Sequence, residues 1–162
     1  MTEPLPQSSL ELRSLVTEQG RLELSLIDVP LPSLASGEVL VRVEAAPINP
    51  SDLGLLLAGA DVASAEVEGT SEGPVVTAPL VDGALRSLAA RVGKSLPVGN
   101  EGAGTVVAAG PSSEVQSLIG RTVAVAGGSM YSQYRAVSAS SCLVLPPGTS
   151  AKDCLLYTSR CV

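Results

Sequence analysis

Val98-Gly99-Asn100-Glu101-Gly102-Ala103-Gly104-Thr105-Val106-Val107 admits two readings that lead to different folds. Taken as a Gly-x-Gly, Gly102 and Gly104 would begin a dinucleotide loop, in which glycines follow a strand and open a helix whose free N–H groups face a pyrophosphate. The continuation decides against this, because Thr105-Val106-Val107 is β-branched and position 107, where a third glycine belongs, is Val. Such residues are stiff at χ1 and fit a pleated strand. The glycines therefore open a strand, and they let the backbone turn sharply and approach something closely. Glu101 sets a carboxylate in this uncharged stretch, and a buried carboxylate needs a partner.

The segments on either side read the same way. Upstream, Glu38-Val39-Leu40-Val41-Arg42-Val43-Glu44 puts Val39, Val41 and Val43 on one face and Arg42 and Glu44 on the other, the clearest strand of the chain. Earlier still, runs around Leu12–Val16 and Leu22–Leu26 flank Glu18-Gln19-Gly20 as a hairpin. Downstream, strands are expected at 105–109, 121–126, 133–137 and 142–145, separated by Gly110-Pro111-Ser112-Ser113 and Gly127-Gly128-Ser129. Between these, Ala63–Gly73 reads as a surface loop and Gly83–Arg91 as one helix with Leu85, Leu88 and Ala89 on one side. Short strands with Gly/Pro turns predict a mainly β fold, an antiparallel barrel or sandwich, rather than a βαβ sheet.

With 162 residues the chain is long enough for one domain with one core, and with no Phe or Trp and three Tyr that core must come from Val, Leu, Ile and Ala. A net charge of −6 without a basic run excludes nucleic acid and anionic membrane as partners. The longest uncharged apolar stretch, Leu53–Ala60, is far shorter than the roughly 20 residues of a membrane-spanning helix. The first twelve residues carry Glu3 and Glu11 and no targeting pattern, so a cytoplasmic protein is expected. Cys142, Cys154 and Cys161, an odd number crowded at one end, are expected as free thiols.

Ile48-Asn49-Pro50-Ser51-Asp52-Leu53 follows the strong strand directly, with Pro50 at a first helical position and Asp52 in the first turn of a short helix. This turn, the Gly-x-Glu-x-x-Gly-x-Val segment at 99–106, Ile119-Gly120-Arg121-Thr122-Val123, Tyr131-Ser132-Gln133-Tyr134 and the Leu145-Pro146-Pro147-Gly148 exit occur in an order that resembles the medium-chain dehydrogenase/reductase superfamily over Leu24–Ser150. The Asn-Pro-Ser-Asp form of the turn is closest to the quinone oxidoreductase-like and enoyl-thioester reductase-like branches. The resemblance implies a GroES-like, partly open β-barrel over residues 1–150, the catalytic domain of such an enzyme without its Rossmann domain. NADPH or NADH would be held mainly by that other half. Residues 151–162 read as a truncated or artefactual tail behind a helix start at Thr149 or Ser150.

Zinc-dependent relatives carry Cys where this chain has Asn49 and His where it has Asn100, and the chain contains no His at all. A tetrahedral zinc site is not expected. Without a Lewis acid an alkoxide is hard to stabilise, which favours hydride addition to an acceptor that is already polarised, a quinone or activated C=C. The resemblance makes Asn49 and Ser51 the candidate catalytic residues, and Asn49, Met130 and Tyr131 the candidate cofactor contacts. Asp52, Asn100 and Glu101 become candidate structural or cleft-lining positions, and Tyr134 is expected in the core. A small molecule is the expected substrate and a homodimer the expected full-length state, with this part alone inactive. Two alternatives stay open: a 2-enoyl-thioester reductase, although no Tyr follows the Asn-Pro-Ser-Asp turn within 53–63, and a non-catalytic GroES-like binding or assembly module.

Overall fold

A computed structural model describes residues 4–57, 59–71 and 73–158, with side chains through Cys154. In chain order the elements are β1 (Ser8–Val16), β2 (Arg21–Pro30), β3 (Glu38–Ala45), α1 (Leu53–Leu56), β4 (Glu66–Gly69), β5 (Pro74–Pro79), α2 (Ala84–Ser87), β6 (Ser95–Pro97), β7 (Glu101–Ala109), α3 (Ser113–Gln116), β8 (Thr122–Ala126), β9 (Tyr134–Ser138), β10 (Cys142–Val144) and α4 (Ala151–Thr158). The strands form two antiparallel five-stranded sheets, ordered β4-β5-β2-β1-β6 and β10-β8-β7-β3-β9, and neither is closed. The mainly β expectation is met. Two compact units result, one comprising Met1–Leu10, Asp28–Pro47 and Gly99–Val162, the other Glu11–Ile27 and Ile48–Val98.

In the first unit the alternation of β3 acts as expected: Val39 and Val41 are fully buried, Arg42 and Glu44 are exposed, and Leu40 is buried as well. Val39 and Val41 join Val106, Val123, Val125 and Met130 in one apolar cluster. Each such Val contributes on the order of 1.5–2 kcal/mol by leaving water. The glycines of β7 let strands approach. Val43 is the register partner of Gly104, and a Cβ at position 104 would collide with the Arg42 carbonyl. Strand β7 thus starts at Glu101 and takes in the glycines, four residues ahead of the strand expected at Thr105.

In the second unit two expectations are corrected. The stretch Ala63–Gly73 contains β4, which pairs with β5 from Glu66↔Thr77 to Gly69↔Pro74. Every residue of β4 is exposed, so this strand has no apolar face to betray it in sequence, and the Arg21 guanidinium secures the pair by donating to Glu66 and Thr77, each at 2.7 Å. The single helix expected over Gly83–Arg91 is broken at Leu88 into α2 and a 3-10 turn, Ala89–Arg91. Nine residues are too few to hold a helix by propensity, and Leu88 is claimed by the cluster around Val16 and Leu22. The hairpin of β1 and β2 turns at Gly20 with φ +71°, as its sequence suggests.

Candidate functional site

In the second unit the Asn49–Asp52 turn is a self-contained device. Pro50 pre-sets φ for a helical first position. The Asp52 N–H donates to the Asn49 carbonyl at 2.9 Å, while the Asp52 Oδ2 accepts from the Asn49 N–H at 2.8 Å. The carboxylate reaches back over one turn, as the third residue of a capping box does, while the other bond is made by backbone alone. The α-helical bonds start only at α1, so Asp52 sits at its N-cap position rather than inside the first helical turn. Asp52 is 1% exposed, Asn49 half-buried and Ser51 exposed. Asp52 is accordingly the structural member of the turn, and Asn49 and Ser51 reach its surface.

In the first unit, the glycine-rich segment and the Gly127-Gly128 loop are locked together. The Asn100 carbonyl accepts from the Gly127 and Gly128 N–H groups, both at 3.1 Å, and the Gly99 carbonyl accepts from Met130 at 3.1 Å. Gly99 has φ +93°, and a Cβ there would meet the Tyr131 ring at 2.6 Å. Gly102 leaves room for the Met130 methyl, which a Cβ would meet at 2.9 Å. What the glycines let approach is therefore Met130, Tyr131 and β3. Ser129, between them, is the one non-glycine residue with positive φ, +61°, among the described residues. The Tyr131 hydroxyl donates to the Pro47 carbonyl at 2.7 Å.

Met130, expected as a cofactor contact, is fully buried and packed with the valines of the core, so its side chain presents no open wall in this unit. Tyr131 is half-buried, Asn100 exposed and Glu101 half-buried rather than enclosed. Tyr134 is corrected in the opposite direction. As the register partner of Arg42 it lies on the outer face of β9 and lines a groove of about 450 Å³ with Leu5, Thr105, Val106 and Ile119, which none of the candidate site residues borders. Glu101 borders a smaller hollow of about 200 Å³ beside Ala124, Leu143 and Cys154. The Cys154 thiol is pushed above its ordinary range, first by burial and then by the Glu101 charge, and burial raises Cys142 as well. Both are free thiols; Cys161 lies outside the described residues. Helix α4 begins at Ala151, and Ser150 caps it as expected, its hydroxyl accepting from the Asp153 N–H at 3.1 Å.

Gly102 and Gly104 do not open a phosphate loop: they lie within the β3–β7–β8 ladder, and a Cβ on either would meet Arg42 or Ala45 backbone or Met130. Nor do the described residues contain a group of three or more His, Cys, Asp and Glu able to hold a metal.

Two polar residues of the second unit were not among the candidates. Ser14 is fully buried, and its hydroxyl donates to the Leu55 carbonyl at 2.6 Å. Arg91 donates to the Gly54 carbonyl at 2.8 Å and to the Ser14 hydroxyl at 3.0 Å. The signal for Ser14 was a hydroxyl standing two residues before buried Val16 on the same strand face; Arg91 carried none.

The sequence profile of the alcohol dehydrogenase GroES-like domain matches residues 35–147. No curated protein sequence matches the chain. Among solved structures, a protein assigned as an NADPH:quinone reductase from Mesorhizobium loti superposes with a TM-score of 0.58 at 21% identity, covering 93% of this chain and 40% of its own. A quinone oxidoreductase from Pseudomonas syringae pv. Tomato gives 0.53 at 18%, covering 89% and 36%. An alcohol dehydrogenase from E. coli, complexed with NADH, gives 0.59 at 18%, covering 93% and 42%. The chain thus spans about two fifths of the length of the solved structures it matches. It belongs to the alcohol dehydrogenase GroES-like domain family.

Proposed function

We propose that this chain is the catalytic-side part of a zinc-independent, NAD(P)H-dependent oxidoreductase that reduces a quinone-type or activated C=C acceptor. The observation that carries this is the Asn49–Asp52 turn. Its buried carboxylate fixes the Asn49 backbone, so that a neutral amide and the Ser51 hydroxyl stand at the surface where zinc-dependent members of the superfamily place a metal ligand and a hydroxyl. Asn at both 49 and 100, and the lack of any His, argue against zinc as the electrophile. An acceptor polarised by its own carbonyl suits such a surface, since an amide or hydroxyl can hydrogen-bond the oxygen that gains charge.

The nicotinamide supplies the hydride. Its phosphates belong to polypeptide that the longer solved relatives possess, and the part alone is inactive. In this reading Asn49 orients the ring or the acceptor oxygen and Ser51 touches the acceptor, while Asn100 and Glu101 are structural residues of the first unit. The Tyr131 hydroxyl already donates to Pro47, which makes it a support rather than a proton donor. The substrate is a small molecule. The acidic charge is unfavourable for nucleic acid or anionic membrane, and no described helix is long and apolar enough to cross a bilayer. A cytoplasmic homodimer of the full-length protein completes the proposal.

The test is NADPH and NADH oxidation by the full-length protein with quinones and enones. Asn49→Ala should lower kcat/KM by roughly 10²-fold, the effect of losing one aimed hydrogen-bonding group. Unchanged turnover would remove Asn49 from the site. One zinc per chain in a metal analysis would overturn the zinc-free reading.

A further inference from the structure

We propose that Arg91 is a positioning residue for the Asn49 turn, acting through the carbonyl end of α1. A helix of four residues, Leu53–Leu56, leaves nearly all of its carbonyls without an intrahelical partner. Within this unit Leu53 is served by the Leu57 N–H. The next two carbonyls in line, Gly54 and Leu55, are served by side chains from elsewhere in the sequence. Arg91 donates to Gly54 at 2.8 Å, Ser14 donates to Leu55 at 2.6 Å, and Arg91 also donates to the Ser14 oxygen at 3.0 Å. Ser14 therefore relays the guanidinium to the second carbonyl, and a cation stands at the helix end where the backbone dipoles are negative.

The geometry explains why Arg rather than Lys occupies the position. Two guanidinium nitrogens are used at once, on acceptors belonging to residues 37 and 77 positions away, which a single ammonium cannot span with one rigid fork. Its Nε is buried without a hydrogen-bond partner among the described residues, and burial draws its pKa down from the usual arginine value. A desolvated arginine that leaves one donor unused is costly. The other two nitrogens fix a backbone that α1 is too short to fix for itself. From there the coupling runs through hydrogen bonds within the segment. The Asp52 carbonyl accepts from the Leu55 and Leu56 N–H groups at 3.0 Å each, and the Asp52 carboxylate holds the Asn49 N–H at 2.8 Å. The clamp and the turn are two ends of one short rigid segment.

The catalytic half of this inference rests on the function proposed above; the structural half does not. In the full-length protein, Arg91→Ala, Arg91→Lys and Ser14→Ala are compared by amide hydrogen exchange at Leu55–Leu57 and by steady-state kinetics. Arg91→Ala should speed exchange at these amides at least tenfold and lower kcat for the acceptor roughly tenfold to a hundredfold, as a displacement of about 1 Å does, with the KM for NADPH unchanged. Arg91→Lys should recover part of both effects, and millimolar guanidinium should restore turnover to Arg91→Ala. Ser14→Ala, the milder change, should act in the same direction, and the double variant should be no worse than Arg91→Ala, because the two belong to one network. Unchanged exchange at Leu55–Leu57 in a folded Arg91→Ala protein would overturn the clamp. So would full additivity of the two variants, or a fall in stability with kcat and the KM for acceptor both unchanged. If the full-length protein oxidises neither NADPH nor NADH with quinones or enones while the exchange effects appear, the proposed function fails and the clamp stands.

Discussion

The unit built on β3, β7 and β8 buries Val39, Leu40, Val41, Val106, Val123, Val125 and Met130 beside the two serines Ser9 and Ser129, whereas in the unit that carries the Asn49 turn the buried residues include two carboxylates, Glu11 and Asp52, and Ser14 beside Val16, Leu22, Ala78 and Val98. The first is held by apolar side chains interlocked across close strands. The second has a smaller apolar cluster and short helices, and side chains of Arg21, Arg91, Ser14, Asp52 and Asp61 supply hydrogen bonds to its turns and strand edges. Packing is indifferent to which apolar residue fills a space of given size, but a side-chain cap depends on one donor or acceptor in one place. The two units should therefore fail differently.

The largest effects are expected where backbones touch in the first unit. Gly104→Ala puts a Cβ into the Arg42 carbonyl, and Gly110→Ala puts one into the Ala35 carbonyl, where backbone rather than a flexible side chain must give way. Each should cost more than about 3 kcal/mol, beyond ordinary overpacking. Gly127→Ala, whose Cβ would meet nothing within 4 Å, should stay within about 0.5 kcal/mol. Denaturant unfolding distinguishes them. Equal values for Gly104→Ala and Gly127→Ala would break the claim that close strand approach holds this unit.

The same contrast explains what was legible in the sequence. Strands β3, β8 and β9 and the β1–β2 hairpin were readable because one face is apolar, and period-two patterning reports that directly. The rejection of a dinucleotide loop at Gly102–Gly104 was readable from Thr105-Val106-Val107, and β7 does pass through those glycines. Strand β4 was not, because Glu66-Val67-Glu68-Gly69 is exposed throughout and owes its pairing to Arg21 and to β5. For the candidate site, the Asn49–Asp52 turn was legible from Pro50 and Asp52, since capping is local chemistry. Tyr134 was placed in the core because alternation alone does not say which face of a strand is the inner one, and its register partner Arg42 puts it on the outer face. Arg91 was invisible, because its partners are 37 and 77 residues distant.

A smaller effect is expected at Asp52 in the second unit. Asp52→Ala removes the acceptor for the Asn49 N–H and should cost about 1–2 kcal/mol, the range for a lost cap or a buried hydrogen bond. Asp52→Asn keeps an oxygen at the same reach and should recover at least half of that loss. Thermal unfolding of the pair sharpens the comparison. If Asn proves as damaging as Ala, the charge of the carboxylate rather than its geometry holds the turn.

The smallest effect concerns the thiol beside Glu101. Burial and then the Glu101 charge raise the Cys154 pKa in the folded protein, so at neutral pH it remains a thiol and reacts slowly. The sign follows from linkage: a folded-state pKa above the unfolded one gives stability that is complete below the unfolded value and is lost as pH rises through the folded value. Alkylation of the native protein, followed by mass spectrometry, should therefore lag behind that of the unfolded chain near pH 8 and catch up only at strongly alkaline pH. Glu101→Gln removes the second cause and leaves burial, so at fixed pH it should raise the Cys154 rate by a few-fold at most while leaving Cys142, raised by burial alone, unchanged. Equal acceleration at both cysteines would mean that the substitution loosened the fold around β7 and β8 instead of removing one charge, and Glu101 would then be a packing residue of the first unit.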